Sequence, residues 1–167
     1  MRLDERRLAR EMEQIRATVE GSGFNETVGS YTATLGGETV DASLLLLSIC
    51  GFEPPASARM NRTIEQVYRQ LGEGAALYRY LEPDGLPGRE GQFGICGFWG
   101  VEALARAGRI EEARAKFESL MSHANDVGLF VEQVNAVNHR ALGNFPQALT
   151  HAGVINSACA IDEALGW

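Results

Sequence analysis

One carboxylate, Glu132, stands within the stretch 128–151 between two valines and close to phenylalanines, and Gln133 follows it directly. A carboxylate in such surroundings can act as a general base that takes a proton from water. Loops between packed elements commonly carry groups of this kind. The alternative is an exposed loop glutamate, which is the more common case when only the local sequence is considered.

A second candidate group is Glu90, Gly91 and Phe93, at the predicted start of a helix. Glu90 can lie at a pocket rim and bind a polyol, with glycine letting a ligand approach the backbone. The alternative is an acidic residue that the helix dipole favours at a helix N-terminus. For Trp99, beside Phe98, a core position is favoured over a stacking platform for a sugar ring.

Asn144 is predicted as the N-cap of the last helix, with Pro146 just inside that helix. A pocket-lining role for Asn144 is compatible with this position. His139 and His151 have no partner at metal-ligand spacing, and no Cys/His spacing suggests zinc. The sequence therefore predicts neither a metal nor a cofactor.

The 167 residues are 45% hydrophobic and 22% charged, as expected for one globular domain spanning residues 1–167. The formal net charge of −7 argues against a nucleic-acid partner. No apolar run is long enough to cross a membrane, and the charged N-terminus lacks a signal-peptide core. The three cysteines, Cys50, Cys96 and Cys159, are interpreted as reduced core residues of a cytoplasmic protein.

Hydrophobic periodicity predicts an all-α chain of about six helices joined by short turns in antiparallel hairpins, with little strand. Asp41 and Ser57 are predicted to cap two of these helices. The glycines at 94, 97 and 100 predict close approach of another helix or a ligand. The predicted helices are 3–20, 42–50, 58–71, 92–107, 109–124 and 145–165, with a turn at 83–85.

Several segments together resemble the C-terminal half of family 15 of the glycoside hydrolases, the glucoamylase and bacterial trehalase group. The resemblance runs from about Tyr31 to the end and rests on GETVDASLLLL, RYLEPDGLPGREGQFGICGFWGVEALARAGRIEEARAKFESL, HANDVGLFVEQVN and ALGNFPQALTH. It implies part of an (α/α)6 barrel that hydrolyses an α-glucosidic bond with inversion, using two carboxylates and no metal cofactor.

The same resemblance implies residue roles. The motif of the family's general base matches GLFVEQ and maps to Glu132, while the EGxFxxCxFW motif maps to the pocket region through Glu90, Gly91, Phe93 and Trp99. Gln133 and Asn144 are further substrate-binding candidates. The family's general acid belongs to an upstream motif that has no match in residues 1–40.

Half a barrel would expose a large apolar patch, so a homodimer or docking to a separate N-terminal half is expected. One hypothesis is the base-bearing part of an α-glucoside hydrolase, and the alternative is a catalytically inactive sugar-binding or scaffold remnant. A third hypothesis, a helical-hairpin interaction module, is disfavoured because no period of roughly 34 residues recurs.

Overall fold

The computed structural model describes residues 4–83, 85 and 90–166, so the turn predicted at 83–85 lies partly outside the described residues. Within them the all-α prediction is confirmed. A 3-10 turn, Ala42–Leu45, leads directly into the second of six α-helices. The helices are α1 (Glu5–Ser22), α2 (Leu46–Ile49), α3 (Ala58–Leu71), α4 (Gly94–Arg106), α5 (Ile110–Met121) and α6 (Ala148–Leu165).

Helix starts follow the predicted caps in two places. The Asp41 carboxylate accepts from the Ser43 amide at 2.7 Å, and the Ser57 hydroxyl accepts from the Met60 amide at 3.0 Å. Each bond satisfies a donor that the first helical turn leaves free. α3 then buries one apolar face, made of Met60, Ile64, Val67 and Leu71.

Helix α4 forms the centre of the core. Most of its residues are buried, and it packs against both α5 and α6. The link to α5 is tight because Gly108 adopts a left-handed φ of 81° and the Arg109 amide donates to the Leu104 carbonyl at 2.9 Å. The predicted α4–α5 hairpin is thereby confirmed.

A five-stranded antiparallel sheet of very short strands lies at the N-terminal end of α4, where the sequence predicted little strand. Gln92 and Phe93 pair with Val134 and Gln133, so α4 begins at Gly94 and not near Gln92. The strands are β3 (Gly72–Glu73), β4 (Ala76–Leu77), β5 (Gln92–Phe93), β6 (Gln133–Val134) and β7 (Ala141–Leu142), after the separate pair β1 (Phe24–Asn25) and β2 (Ser30–Tyr31).

The glycines of α4 permit close contacts, as predicted. A Cβ on Gly94 would lie 2.6 Å from the Thr150 methyl carbon on α6, and one on Gly97 would lie 2.8 Å from a Leu120 methyl on α5. At Gly100 the neighbour is the partly buried ring of Tyr68 on α3. Three helices therefore approach α4 where it lacks side chains.

We expect Gly100→Ala to destabilise the fold although alanine favours helix. The new Cβ would lie 2.8 Å from the Tyr68 ring carbon Cζ, and overpacking of a core typically costs about 1–3 kcal/mol. Gly21→Ala is the matched control, because nothing lies within 4 Å of its Cβ position on α1. That control should be neutral or stabilising by about 0.5–1 kcal/mol. Urea unfolding compares the two, and equal effects would contradict the packing account.

The apolar stripes of two helices face solvent. Leu149, Ala152, Ile155 and Cys159 of α6 are exposed, because α6 buries its small face of Thr150, Gly153, Ser157 and Ala160 instead. On α1, Leu8, Met12 and Ile15 are exposed, and Val19 is partly buried. On α5, Met121 was expected to face inward but is 37% exposed.

The cysteine prediction holds for Cys96 alone. Its thiol is buried in α4, and this burial raises the pKa of Cys96 to about 12. Cys50 and Cys159 are exposed, which corrects their placement in the core. Cys159 lies on the outer face of α6, and Cys50 follows the last residue of α2. In the described part of the chain, no helix combines the length and the apolar character needed to span a membrane.

Candidate active site

Glu132 occupies a backbone position that is fixed on both sides. Its amide donates to the Asn144 carbonyl at 3.0 Å, and its carbonyl accepts from the Gly94 amide at 3.0 Å. It directly precedes β6, so it lies between the start of α4 and the segment that leads into α6. The predicted position on a loop between packed elements is confirmed.

The Glu132 carboxylate is half-buried and is bound by one neighbouring residue. Its Oε2 atom accepts from the Asn144 backbone N–H at 2.9 Å and from the Asn144 side-chain Nδ2 at 3.0 Å. Two donors from one residue therefore converge on one oxygen. Hydrogen bonds to an ionised acceptor are among the stronger ones in proteins.

Asn144 is not the N-cap of α6, which corrects the prediction. Gln147 takes that position, and its side-chain oxygen accepts from the Leu149 amide at 2.7 Å. α6 begins at Ala148, so Pro146 lies outside the helix. Residues 143–147 instead fold back over Glu132, and the Gln147 amide donates to the Phe130 carbonyl at 2.9 Å.

Gln133 connects the Glu132 segment to the second predicted group. Its side-chain Oε1 accepts from the Gly91 amide at 2.7 Å, and its backbone pairs in register with Phe93 and Leu142. A Cβ on Gly91 would lie 2.7 Å from the Val134 carbonyl oxygen. Close packing against β6 thus requires glycine at position 91, independently of any ligand.

Glu90 forms an ion pair with Arg79, a residue that the sequence analysis missed. Arg79 Nη2 lies 2.7 Å from Glu90 Oε1, and the guanidinium stacks over the rings of Phe93 and Tyr80 at 5.0 and 4.6 Å. Burial acts to lower the pKa of Arg79, but the Glu90 carboxylate outweighs it and raises that pKa. Strand pairing between Leu77 and Phe93 brings the two charges together, a contact that spacing along the chain does not reveal.

Two buried side-chain donors, Arg79 Nε in the ion pair and Gln92 Nε2 on β5, have no hydrogen-bond partner in the described part of the chain. Such donors normally bind an acceptor when they are buried. Each therefore indicates a position where water or a ligand hydroxyl can accept.

Trp99 stands apart from these residues. Trp99 lies on α4, and its side chain is partly buried against the hydrophobic core. The side chain of its neighbour Phe98 is almost completely buried. Among the described residues, no hydrogen bond or ring contact joins Trp99 to Glu132. The structure thus brings together Glu132, Gln133, Asn144, Gly91 and Phe93, places Glu90 beside them, and leaves Trp99 on the helix.

Two concave surfaces of the described residues do not include Glu132. A region of about 170 Å³ lies between α5 and the β6–β7 hairpin and contains Val131, Val134, His123 and His139. Burial lowers the pKa of His123, and the nearby His139 adds to this effect. A separate open groove of about 550 Å³ is lined by residues of α3, the β3–β4 hairpin and α5: Glu65, Gln66, Tyr68, Arg69, Gly72, Gly74 and Lys116.

Comparison with known proteins identifies relatives over nearly the whole chain. The model of the glycosyl hydrolases family 15 matches residues 2–159, so the match begins well before Tyr31. A trehalase of Thermoplasma volcanium is 38% identical over 154 residues, which are 92% of this chain and 25% of that protein. A trehalase of Mycobacterium tuberculosis is 37% identical over 155 residues, 91% of this chain and 23% of that protein. The chain spans about a quarter of the length of these relatives.

Solved structures share the fold. A glycosidase variant in complex with glucose superposes with a TM-score of 0.78 at 21% identity, covering 92% of this chain and 44% of that one. A wild-type glycosidase gives a TM-score of 0.72 at 22% identity, covering 95% of this chain and 44% of that one. The family match and the trehalase identities agree with this fold, and the chain therefore belongs to glycosyl hydrolase family 15.

Proposed function

We propose that this chain supplies the general-base part of an inverting α-glucoside hydrolase, with Glu132 as the base. The observation that carries the proposal is the fixed Glu132 carboxylate, bound through Oε2 by Asn144 while its backbone is tied to α4. The trehalase relatives favour trehalose as the first substrate to test, followed by maltose.

Inversion requires a second carboxyl group. A carboxylic acid must protonate the leaving oxygen from the opposite face of the sugar, roughly 6.5–9.5 Å from the base. Glu90 is a poor candidate because its oxygen accepts from Arg79 in an ion pair, an arrangement that suits a carboxylate and not a proton donor. We propose that the acid comes from the part of the family fold that this chain does not contain.

The neighbouring residues supply the proposed sugar contacts. Glu90 and Gln133 offer polar side chains, and Gly91 and Phe93 belong to the segment around β5 that holds them. Trp99, on α4 apart from these residues, stays a predicted aromatic wall. The unpartnered Nε of Arg79, whose guanidinium pairs with Glu90, supports this assignment, since a sugar hydroxyl can accept from it. No metal or cofactor enters the proposed reaction.

The test is completion of the site. The 167-residue chain is mixed or co-expressed with the N-terminal part of a family 15 trehalase, and glucose release from trehalose and maltose is measured. We expect turnover in the mixture and none in the chain alone. Proton NMR of the trehalose reaction should show α- and β-glucose in equal initial amounts, because inversion makes the attacked glucose β while the leaving glucose keeps its α configuration. Sugar binding without turnover in any mixture would favour the inactive sugar-binding or scaffold remnant. α-Glucose as the sole initial product from trehalose would overturn inversion.

The exposed apolar faces of α1 and α6 support association. Each helix has 18 residues; Met12 and Ile15 of α1 are 70% and 62% exposed, and Leu149 and Ile155 of α6 are 61% and 62% exposed. Amphipathic α3 and α5 pack against apolar neighbours, whereas amphipathic α1 buries none of its residues. The exposed apolar side chains of α6 offer a surface against which the apolar face of α1 can pack.

For the isolated chain we propose a second copy as the occupant of these faces, with α1 of each protomer against α6 of its partner. Such a two-fold contact is self-complementary. An antiparallel arrangement also brings the α6 end, with Asp162 and Glu163, towards the arginines near the start of α1, Arg6, Arg7 and Arg10. Basic groups are favoured near a helix C-terminus.

Light scattering at micromolar concentration should therefore show a dimer, and Ile155→Glu should shift it towards monomer by placing a charge in the contact. Val137→Glu is the control, because Val137 is 90% exposed in the β6–β7 loop, away from both faces. A stable wild-type monomer would overturn the second-copy proposal and leave a separate N-terminal half as the occupant.

The free state of all three cysteines supports a reducing, cytoplasmic location, which we also propose.

A further inference from the structure

We infer that Asn144 is a positioning residue for Glu132 and not a sugar contact, and that Gly143 makes this arrangement possible. The inference rests on the proposed function for its catalytic meaning. Its structural part stands on hydrogen bonds and steric contacts within the chain. Together, Gly143, Asn144 and Glu132 form a unit that we call the carboxylate clamp.

The first observation is that the backbone and side-chain nitrogens of Asn144 both donate to the same acceptor. The backbone N–H and the side-chain Nδ2 of Asn144 lie 2.9 and 3.0 Å from Glu132 Oε2. The Asn144 carbonyl in turn accepts from the Glu132 amide at 3.0 Å. A residue that contacts Glu132 through three of its polar groups fixes both the backbone and the side chain of the base.

The second observation concerns which carboxylate oxygen is left to react. In the described part of the chain, the hydrogen bonds to the Glu132 side chain all fall on Oε2. Anchoring one oxygen fixes the plane and direction of the carboxylate. Oε1 is then the oxygen that accepts the proton of the attacking water, held in one orientation as efficient general-base catalysis requires.

The third observation explains why glycine precedes Asn144. Gly143 adopts a left-handed φ of 74°, and a Cβ there would lie 3.1 Å from Glu132 Cβ and 3.2 Å from Glu132 Cδ, with Oε2 closer still. Any larger residue would displace the carboxylate as well as strain the backbone. Gly143 therefore lets the loop close over Glu132.

The loop geometry completes the clamp. α6 begins only at Ala148, which leaves residues 143–147 free to run alongside 130–132. Backbone hydrogen bonds join the two segments at both ends. The Glu132 amide donates to the Asn144 carbonyl, and the Gln147 amide donates to the Phe130 carbonyl. The segment that leads into α6 thus holds the base, a role that an N-cap at Asn144 would not provide.

The kinetic test separates positioning from substrate binding in the completed enzyme. We expect Asn144→Ala to lower kcat by about 10- to 100-fold with KM nearly unchanged, because misplacement of a base weakens the chemical step and not ground-state binding. A rise in KM with kcat unchanged would overturn the inference and return Asn144 to the sugar-binding residues.

Gly143→Ala separates carboxylate displacement from backbone strain. Its control is Gly51→Ala, since Gly51 has a similar φ of 73° but nothing within 4 Å of its Cβ position. Gly143→Ala should lose at least as much stability as Gly51→Ala, and only Gly143→Ala should lower kcat. Equal kcat values for the two variants would overturn the role of Gly143.

A spectroscopic test needs no turnover and so separates failure of the clamp from failure of the proposed function. In nitrogen-15 NMR spectra of the 167-residue chain, the Asn144 backbone and side-chain amide signals should both move in Glu132→Gln, because each nitrogen then donates to a neutral oxygen and not to a carboxylate. Asn144 signals that stay in place in Glu132→Gln would overturn the clamp, even if the completed enzyme is active.

Discussion

Glu132→Gln in the completed enzyme should lower kcat for trehalose or maltose by about 10²- to 10⁴-fold, the usual contribution of a general base. Glutamine keeps the size of the side chain and an oxygen that can accept from Asn144. It cannot take a proton from water, so the chemical step is lost while the loop stays in place. Steady-state glucose release gives kcat and KM for each variant.

Glu111→Gln is the matched control for this variant. Its side chain is 88% exposed on α5, so the same chemical change there should leave kcat unaltered. A Glu132→Gln enzyme with wild-type kcat would remove Glu132 from the reaction. KM should stay near the wild-type value, because the base contributes little to binding of the ground state.

Phe98→Ala should destabilise the chain by about 3–5 kcal/mol, the usual range for a fully buried phenylalanine. Phe98 is 1% exposed, and its ring meets those of Phe117 and Phe130 edge to face at 6.0 and 5.7 Å. Deleting it leaves a cavity where α4, α5 and the Glu132 segment meet. Because a domain is stabilised by only about 5–15 kcal/mol in total, this is a large fraction.

This variant also tests how the core supports the site. Phe130 lies two residues before Glu132 and binds α6 through its backbone, accepting from Gln147 and donating to His151 Nε2 at 3.3 Å. Urea unfolding at one fixed protein concentration measures the loss, since association would otherwise shift the midpoint. Leu35→Ala, at a position that is 56% exposed, should change stability by less than about 0.5 kcal/mol. If Phe98→Ala lowered stability by as little as Leu35→Ala, the result would contradict the place of Phe98 in the core.

Local sequence rules predicted what depends on near neighbours. Asp41 and Ser57 cap helices because a side-chain oxygen reaches an amide two or three residues ahead. The α3 stripe is buried because its spacing matches one helical face and an apolar neighbour covers it. The motif around Glu132 indicated the family, and the family match confirmed it.

Local rules failed where a distant contact competes. Asn144 has the right residue type for an N-cap, but both of its nitrogens donate to Glu132, twelve residues earlier, and Gln147 caps α6 instead. Strand pairing with β6 draws Gln92 and Phe93 out of the predicted helix. Periodicity identified the apolar stripe of α6 but could not tell whether any element covers it.

The sequence by itself determined the helical class, most helix positions and the two caps, because each depends on residue type and short-range spacing. The candidate base followed from the resemblance to family 15. Only the tertiary structure decided that Arg79 pairs with Glu90 and that Asn144 holds Glu132. It also decided that the α1 and α6 stripes face outward. These features depend on strand register and packing between segments far apart in the chain, and no local pattern encodes the resulting distances.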